Sequence, residues 1–165
     1  MLPTDFSDCS AAAFEHASTF AVMYNAHLHI LHVAKAPTSM SFDSDGSGMN
    51  HVQLSQRLAY EDEVRKFVEK MAPHQTKVIE AVRFGQPHRE IVDYARNEDI
   101  DLIVIATHGR TGLTHMMMGS VAEKIVRFSP VPVLTVKPPK IAPAIVSDDQ
   151  PKRKLYEERL NDYPR

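Results

Sequence analysis

Leu102-Ile103-Val104-Ile105-Ala106 runs directly into Thr107-His108-Gly109-Arg110-Thr111-Gly112-Leu113-Thr114-His115-Met116-Met117-Met118-Gly119-Ser120. Five apolar residues in a row, bounded by Asp101 and Thr107, fit a strand buried on both faces, as in a parallel sheet. The glycine-rich run that follows opens a helix at Gly119-Ser120, with Val121, Ile125 and Phe128 on its inward side.

The same alternation extends in both directions. Upstream, Asp8 to Asn25 reads as a helix with Phe14, Ala17, Ala21 and Tyr24 on one stripe and Ser7 as its N-cap. Leu28 to Val33 reads as a strand. Residues 36–50 are rich in Pro, Ser, Gly and Asp, so a loop is expected there. Leu54, Leu58, Val64, Phe67, Val68 and Met71 recur at roughly helical spacing. Lys77 to Phe84 reads as a strand closed by Gly85-Gln86-Pro87, and Pro87 suits the first turn of a short helix carrying Ile91, Val92 and Ala95. Downstream, Val131 to Val136 is the last strand. Pro132 lacks an N–H for a ladder, which points to an edge strand or the start of one. Strands alternating with helices predict an α/β fold with a parallel sheet covered on both faces.

Composition bounds the function. The 165 residues are 43% apolar and 24% charged, with a net charge of −2; this suits a globular domain with a sizeable core. No run approaches the roughly 18 apolar residues of a membrane helix. The start, Met-Leu-Pro-Thr-Asp-Phe, lacks the pattern of a secretion signal. Near-neutral charge leaves no footprint for nucleic acid. A soluble, cytoplasmic protein is expected. Residues 1–138 read as the domain and 139–165 as a charged C-terminal tail with at most a short helix.

Two stretches could carry chemistry. The run from Ala106 to Ser120 lies beyond the carboxyl end of a strand, where open α/β sheets bind ligands. Its glycines let backbone approach a ligand, and N–H groups at the next helix start suit an anion. The alternative is that Gly109, Gly112 and Gly119 only make turns. The spacing is neither a Walker A motif nor G-x-G-x-x-G. The second stretch is Pro3-Thr4-Asp5-Phe6-Ser7, where Asp5 falls between the first strand and the first helix. Its carboxylate could accept from a ribose or from backbone amides at the helix start.

Together, Leu2-Pro3-Thr4-Asp5-Phe6-Ser7, Leu28-His29-Ile30-Leu31-His32-Val33, Gly85-Gln86-Pro87-His88-Arg89-Glu90-Ile91 and the run from Asp101 through Val136 closely resemble the universal stress protein family, over about residues 1–138. The resemblance implies a Rossmann-like open sheet of five parallel strands in the order 3-2-1-4-5, with ATP bound by one branch of the family. That branch carries Gly-x2-Gly-x9-Gly-Ser/Thr, which falls here on Ala106, Gly109, Gly119 and Ser120; Ala106 departs from the pattern by one methyl. By the same resemblance Pro3, Thr4 and Asp5 would line the nucleoside, with Asp5 near the ribose, and Val33 would meet adenine through its backbone. His108, Gly109 and Arg110, with Gly112 in the same loop, would lie along the phosphates. Gly119, Ser120 and Val121 would hold them, and Mg or Mn would ride on the phosphates.

Only Met1 and Leu2 precede Pro3, so the first strand is expected to be truncated, leaving the neighbouring ladders partly unpaired. An upstream extension would then raise the melting temperature.

Other features read more plainly. On a strand, His27 and His29 share a face and His32 points to the other, so the three do not form a metal site locally. Met116, Met117 and Met118 are expected to pack. Cys9, in a first helical turn, reads as a small residue at a helix start, although a thiolate is favoured there. No nucleophile with an adjacent base appears, so no catalytic residue is assigned.

The function expected is an adenine-nucleotide-binding regulatory protein, binding ATP or AMP. It would act as a homodimer through residues 131–136 and present a ligand-dependent surface to an unknown protein partner, with no nucleic acid and no membrane. The alternatives are a non-nucleotide structural or interaction dimer of the same fold, and a weak ATPase.

Overall fold

A computed structural model describes residues 1–35, 51–72, 76–109 and 118–137. The loop expected over 36–50, Arg110, Gly112, Met116, Met117 and the 139–165 tail lie outside these residues. The described chain alternates strand and helix throughout: β1 (Leu2–Thr4), α1 (Asp8–Met23), β2 (His27–Ala34), α2 (His51–Met71), β3 (Lys77–Phe84), α3 (Pro87–Asn97), β4 (Ile103–Ala106), α4 (Ser120–Phe128) and β5 (Val133–Val136).

Every strand pair is parallel. β1 pairs with β2 in the register Leu2↔Ile30, Pro3↔Leu31, Thr4↔His32. β2 pairs with β3 from His27↔Lys77 to Ala34↔Phe84. β4 pairs with β5 from Ile103↔Val133 to Ala106↔Val136. The ladders therefore run β3-β2-β1 and β4-β5. The two groups meet at Met1, whose carbonyl accepts from the Val104 N–H at 2.9 Å and whose nitrogen donates to the Leu102 carbonyl at 2.7 Å. The short first strand expected from sequence is thus present, with its pairing to β4 confined to Met1. The Pro132 carbonyl accepts from the Ile103 N–H just before β5 begins, so the proline stands at the strand's start, where its missing N–H interrupts no ladder.

Alternation along the strands divides the core. Leu2, Leu28, Ile30, Val82, Val104, Ala106 and Val136 face Ala13, Phe14, Ala17 and Ala21 of α1 and Val64 of α2. Met1, Leu31, Ile103 and Ile105 face Ile91, Tyr94 and Ala95 of α3 and Ala122 and Ile125 of α4. Helices therefore cover both faces, two on each. Burying one Leu or Ile side chain fully stabilises the fold by about 1.5–3 kcal/mol. α1 and α3 both end on a left-handed residue, Asn25 (φ 49°) and Asp99 (φ 47°). The following N–H groups, of Ala26 and Ile100, return to the carbonyls of Ala21 and Ala95. These turns aim the chain directly into β2 and β4.

The helical stripes differ from expectation at their ends. Tyr24 caps α1 rather than continuing its stripe and is exposed, as are Leu54 and Leu58 on α2. Phe128, expected inward, is 57% exposed at the last residue of α4. No helix among the described residues is long and apolar enough to cross a membrane.

Candidate functional site: the crevice between β1 and β4

The turn from β1 into α1 is held by its own hydroxyls. Ser7 caps α1, its Oγ accepting from the Ser10 N–H at 3.3 Å. The Phe6 N–H donates to Thr4 Oγ1 at 3.0 Å, and Ser10 Oγ donates to the Ser7 carbonyl at 2.8 Å. Each hydroxyl has one proton, so the 3.0 Å contact between Thr4 Oγ1 and Ser10 Oγ runs from Thr4 to Ser10. Asp5 Oδ1 accepts twice from Ser7, from N–H at 3.1 Å and from Oγ at 2.6 Å. Phe6 takes a left-handed conformation, φ 63°, which costs a bulky residue roughly 1–2 kcal/mol and persists only where surrounding contacts hold it.

The exit of β4 is the other wall. The Thr107 N–H donates to the Val136 carbonyl at 2.9 Å, and the Thr107 carbonyl accepts from the Gly119 N–H at 2.7 Å. The second bond ties the far end of the glycine run back to its beginning. A Cβ on Gly119 would lie 3.2 Å from the Thr107 carbonyl oxygen, so the closure is tight. His108 is half-buried, with Nδ1 2.9 Å from Thr107 Oγ1.

The walls meet at Asp5 and Gly109. A Cβ on Gly109 would stand 2.7 Å from Asp5 Oδ2, closer than real side chains come, so the glycine is what lets the carboxylate pack this closely against the exit of β4. Oδ1 belongs to the α1 start, and Oδ2 faces Gly109. α4 then begins at Ser120 with Gly119 as an N-cap that gives no side-chain bond. Gly119 has committed its N–H to Thr107, so the first-turn donors of α4 are the N–H groups of Ser120, Val121 and Ala122. An acceptor, a glycine packed against it and a set of helix-start donors thus come together between β1 and β4. That set suits a ligand with hydroxyls at one end and an anion at the other.

The other candidate residues fall around this arrangement. Pro3 and Thr4 are buried in β1. Val33 is half-buried one residue beyond the Thr4↔His32 pair, level with Asp5. Ala106 is packed among the buried residues under α1. Arg110 and Gly112 lie outside the described residues. Met118 packs against the α3–α4 side of the core.

Cys9 does not have the character of a thiolate. Burial pushes its pKa up, and the carboxylates of Asp5 and Asp8 push in the same direction. The histidines separate as the strand period requires: His29 Nδ1 is 2.9 Å from the Tyr94 hydroxyl, while His32 Nδ1 is 2.9 Å from the Thr4 carbonyl on the other face. No group of three or more metal-ligating side chains occurs among the described residues. A separate cleft of about 360 Å³ opens at the free edge of β3, lined by Arg57, Glu61, Arg65, Arg83, Tyr94 and Glu98 among others. Neither Asp5 nor Gly109 lines it, and its charges are largely paired, Arg57 with Glu61 and Arg83 with Glu98.

Sequence reasoning missed the Thr4–Ser10 bond and the part played by His32. The available signal was a histidine at the Leu28 and Ile30 phase of β2, where an apolar side chain is expected to face the helices.

Comparison with known proteins agrees with this fold. The model of the universal stress protein family matches residues 1–137. Universal stress protein MJ0531 of Methanocaldococcus jannaschii is 36% identical over 143 residues, covering 85% of this chain and 82% of that protein. Universal stress protein MJ0577 of the same organism is 30% identical over 153 residues, covering 83% and 93%. The solved structure of MJ0577 superposes with a TM-score of 0.69 at 29% identity, covering 82% of this chain and 92% of that one. UspA of Lactobacillus plantarum superposes with a TM-score of 0.61 at 25% identity, covering 82% and 94%. The chain belongs to the universal stress protein family.

Proposed function

We propose that the protein binds an adenine nucleotide, ATP or AMP, in the crevice between Asp5 and the start of α4, and acts as a cytoplasmic regulatory dimer. The observation that carries this reading is the approach of Gly109 to Asp5 Oδ2, within 2.7 Å of where a Cβ would stand. Asp5 is the acceptor for a ribose hydroxyl. Val33 offers backbone to the base, and Pro3 and Thr4 form the floor. Gly109, with His108 and Arg110 beside it and Gly112 beyond, gives the phosphates passage. Ser120 and Val121 receive them, with Gly119 closing the turn behind. Ala106 is compatible with this, because its methyl is taken up in the core under α1.

The donor set at α4 is neutral backbone, so a Mg or Mn ion accompanying ATP would be carried mainly by the phosphates. Binding alters the surface between β4 and α4, which a protein partner can read. The dimer forms through β5, an edge strand needing cover. The exposed Val126 and Phe128 of α4, an apolar pair just before that strand in the chain, support the same surface.

The test uses protein purified without added nucleotide. The chain is denatured and removed, and released small molecules are identified by chromatography and mass spectrometry; Mg-ATP is then added to fresh protein during thermal unfolding. The expected result is an adenine nucleotide in the released fraction or a melting temperature raised by several degrees, as a ligand well above its Kd produces. An empty protein that also ignores Mg-ATP would overturn the reading in favour of a structural dimer.

A further inference from the structure

We infer that His32 is a positioning residue for the crevice, holding the residues on both sides of Asp5 so that its carboxylate is presented to Gly109. The inference rests on the reading of that crevice as a nucleotide site.

His32 is buried in β2. Its Nδ1 lies 2.9 Å from the Thr4 carbonyl. A carbonyl only accepts, so Nδ1 carries the proton. The same ring stacks on Phe6, with centroids 4.4 Å apart and planes at 26°. Tyr60 of α2 is also against it, at 5.2 Å and 33°. Thr4 and Phe6 are the neighbours of Asp5 in the chain, so one imidazole grips the backbone just before the carboxylate and the side chain just after it.

Phe6 is also the residue in the left-handed conformation, φ 63°. Its ring is confined by His32 on one side and by Phe67 at 5.8 Å, contacts of the kind that hold such a conformation in place. The Phe6 N–H returns to Thr4 Oγ1, closing the turn around Asp5. A phenylalanine at position 32 would keep the stack and leave the Thr4 carbonyl without this donor. An asparagine would keep a donor and give up the platform. Neither half alone reproduces the histidine, which separates positioning from space filling.

The experiment compares wild type, His32→Phe, His32→Asn and Phe6→Leu by nitrogen–proton NMR and by calorimetric titration with Mg-ATP, with Asp5→Ala as the site control. Wild type is expected to show His32 as an Nδ1–H imidazole. His32→Phe is expected to displace the Ser7 and Gly109 amide signals and to weaken ATP roughly tenfold, the scale of one lost hydrogen bond. His32→Asn is expected to recover part of that affinity. Phe6→Leu is expected to move the same two amides, which keeps the test open if His32→Phe does not fold. Unchanged Ser7 and Gly109 signals in both His32→Phe and Phe6→Leu would overturn the inference, as would wild-type ATP affinity in His32→Phe while Asp5→Ala has lost it. If wild type itself takes no nucleotide, the nucleotide reading fails separately, and the two amide signals still decide the role of His32.

Discussion

Asp5 and Gly109 come from opposite halves of the chain, and a methyl on Gly109 would stand 2.7 Å from Asp5 Oδ2. Gly109 has no strained backbone angle that demands glycine. The requirement is for the close approach of the carboxylate, and a bulky side chain there would drive Asp5 from its place. Gly109→Val is therefore expected to abolish ATP binding in calorimetry, while sedimentation shows the same oligomeric state as wild type, because β5 is untouched.

Ser7 serves the fold and the site at once. Its hydroxyl caps α1 and donates to Asp5 Oδ1. Ser7→Ala is expected to lose about 1 kcal/mol of stability, the usual value of an N-cap, and to weaken ATP binding because Asp5 loses one of its two bonds from Ser7. Urea unfolding and titration of the same preparation check both. A variant that loses stability but binds as wild type would separate the cap from the site.

Leu2 lies fully buried in the shortest central strand. Leu2→Ala removes packing against α1 just where β1 has little pairing with β4. It is expected to cost about 3 kcal/mol, within the range for leucine truncations in cores, read from the urea midpoint at unchanged slope.

His29 gives the fold a pH dependence of definite sign. Burial holds its pKa below the ordinary 6.5, with the Met1 amino group and His27 acting in the same direction and Glu98 opposing. Between the folded value and 6.5 the unfolded chain binds more protons, so stability rises with pH through that window and is lost as pH falls below 6.5. The urea midpoint is expected to drop between pH 7.5 and pH 5.5, and to drop less in His29→Gln, whose side chain does not titrate. An equal drop in both would remove His29 as the cause.

Much of this was legible in the sequence because period and punctuation agree. The uninterrupted run ending at Ala106, the N-cap Ser7, and the Gly85–Pro87 boundary each mark their element without help from the rest of the chain. The bringing together of Asp5 and Gly109 was not legible from spacing. It depends on β1 and β4 lying side by side, which was expected only through the family resemblance and is realised through the Met1 contacts with Leu102 and Val104. Phe128 was misread because spacing reports which residues share a helix face, not how far the sheet extends beneath it. His32 escaped notice because its partners, Thr4 and Phe6, are far away in sequence, and only the β1–β2 register brings them together.

The central claim is tested most directly by titrating Mg-ATP into isotope-labelled wild-type protein while following individual backbone amides. Asp5, Gly109, Ser120 and Val121 are expected to move together and saturate with one affinity, while Arg57, Arg83 and Tyr94 at the β3 cleft stay still. Movement confined to the β3 cleft, or none at any ATP concentration, would contradict it.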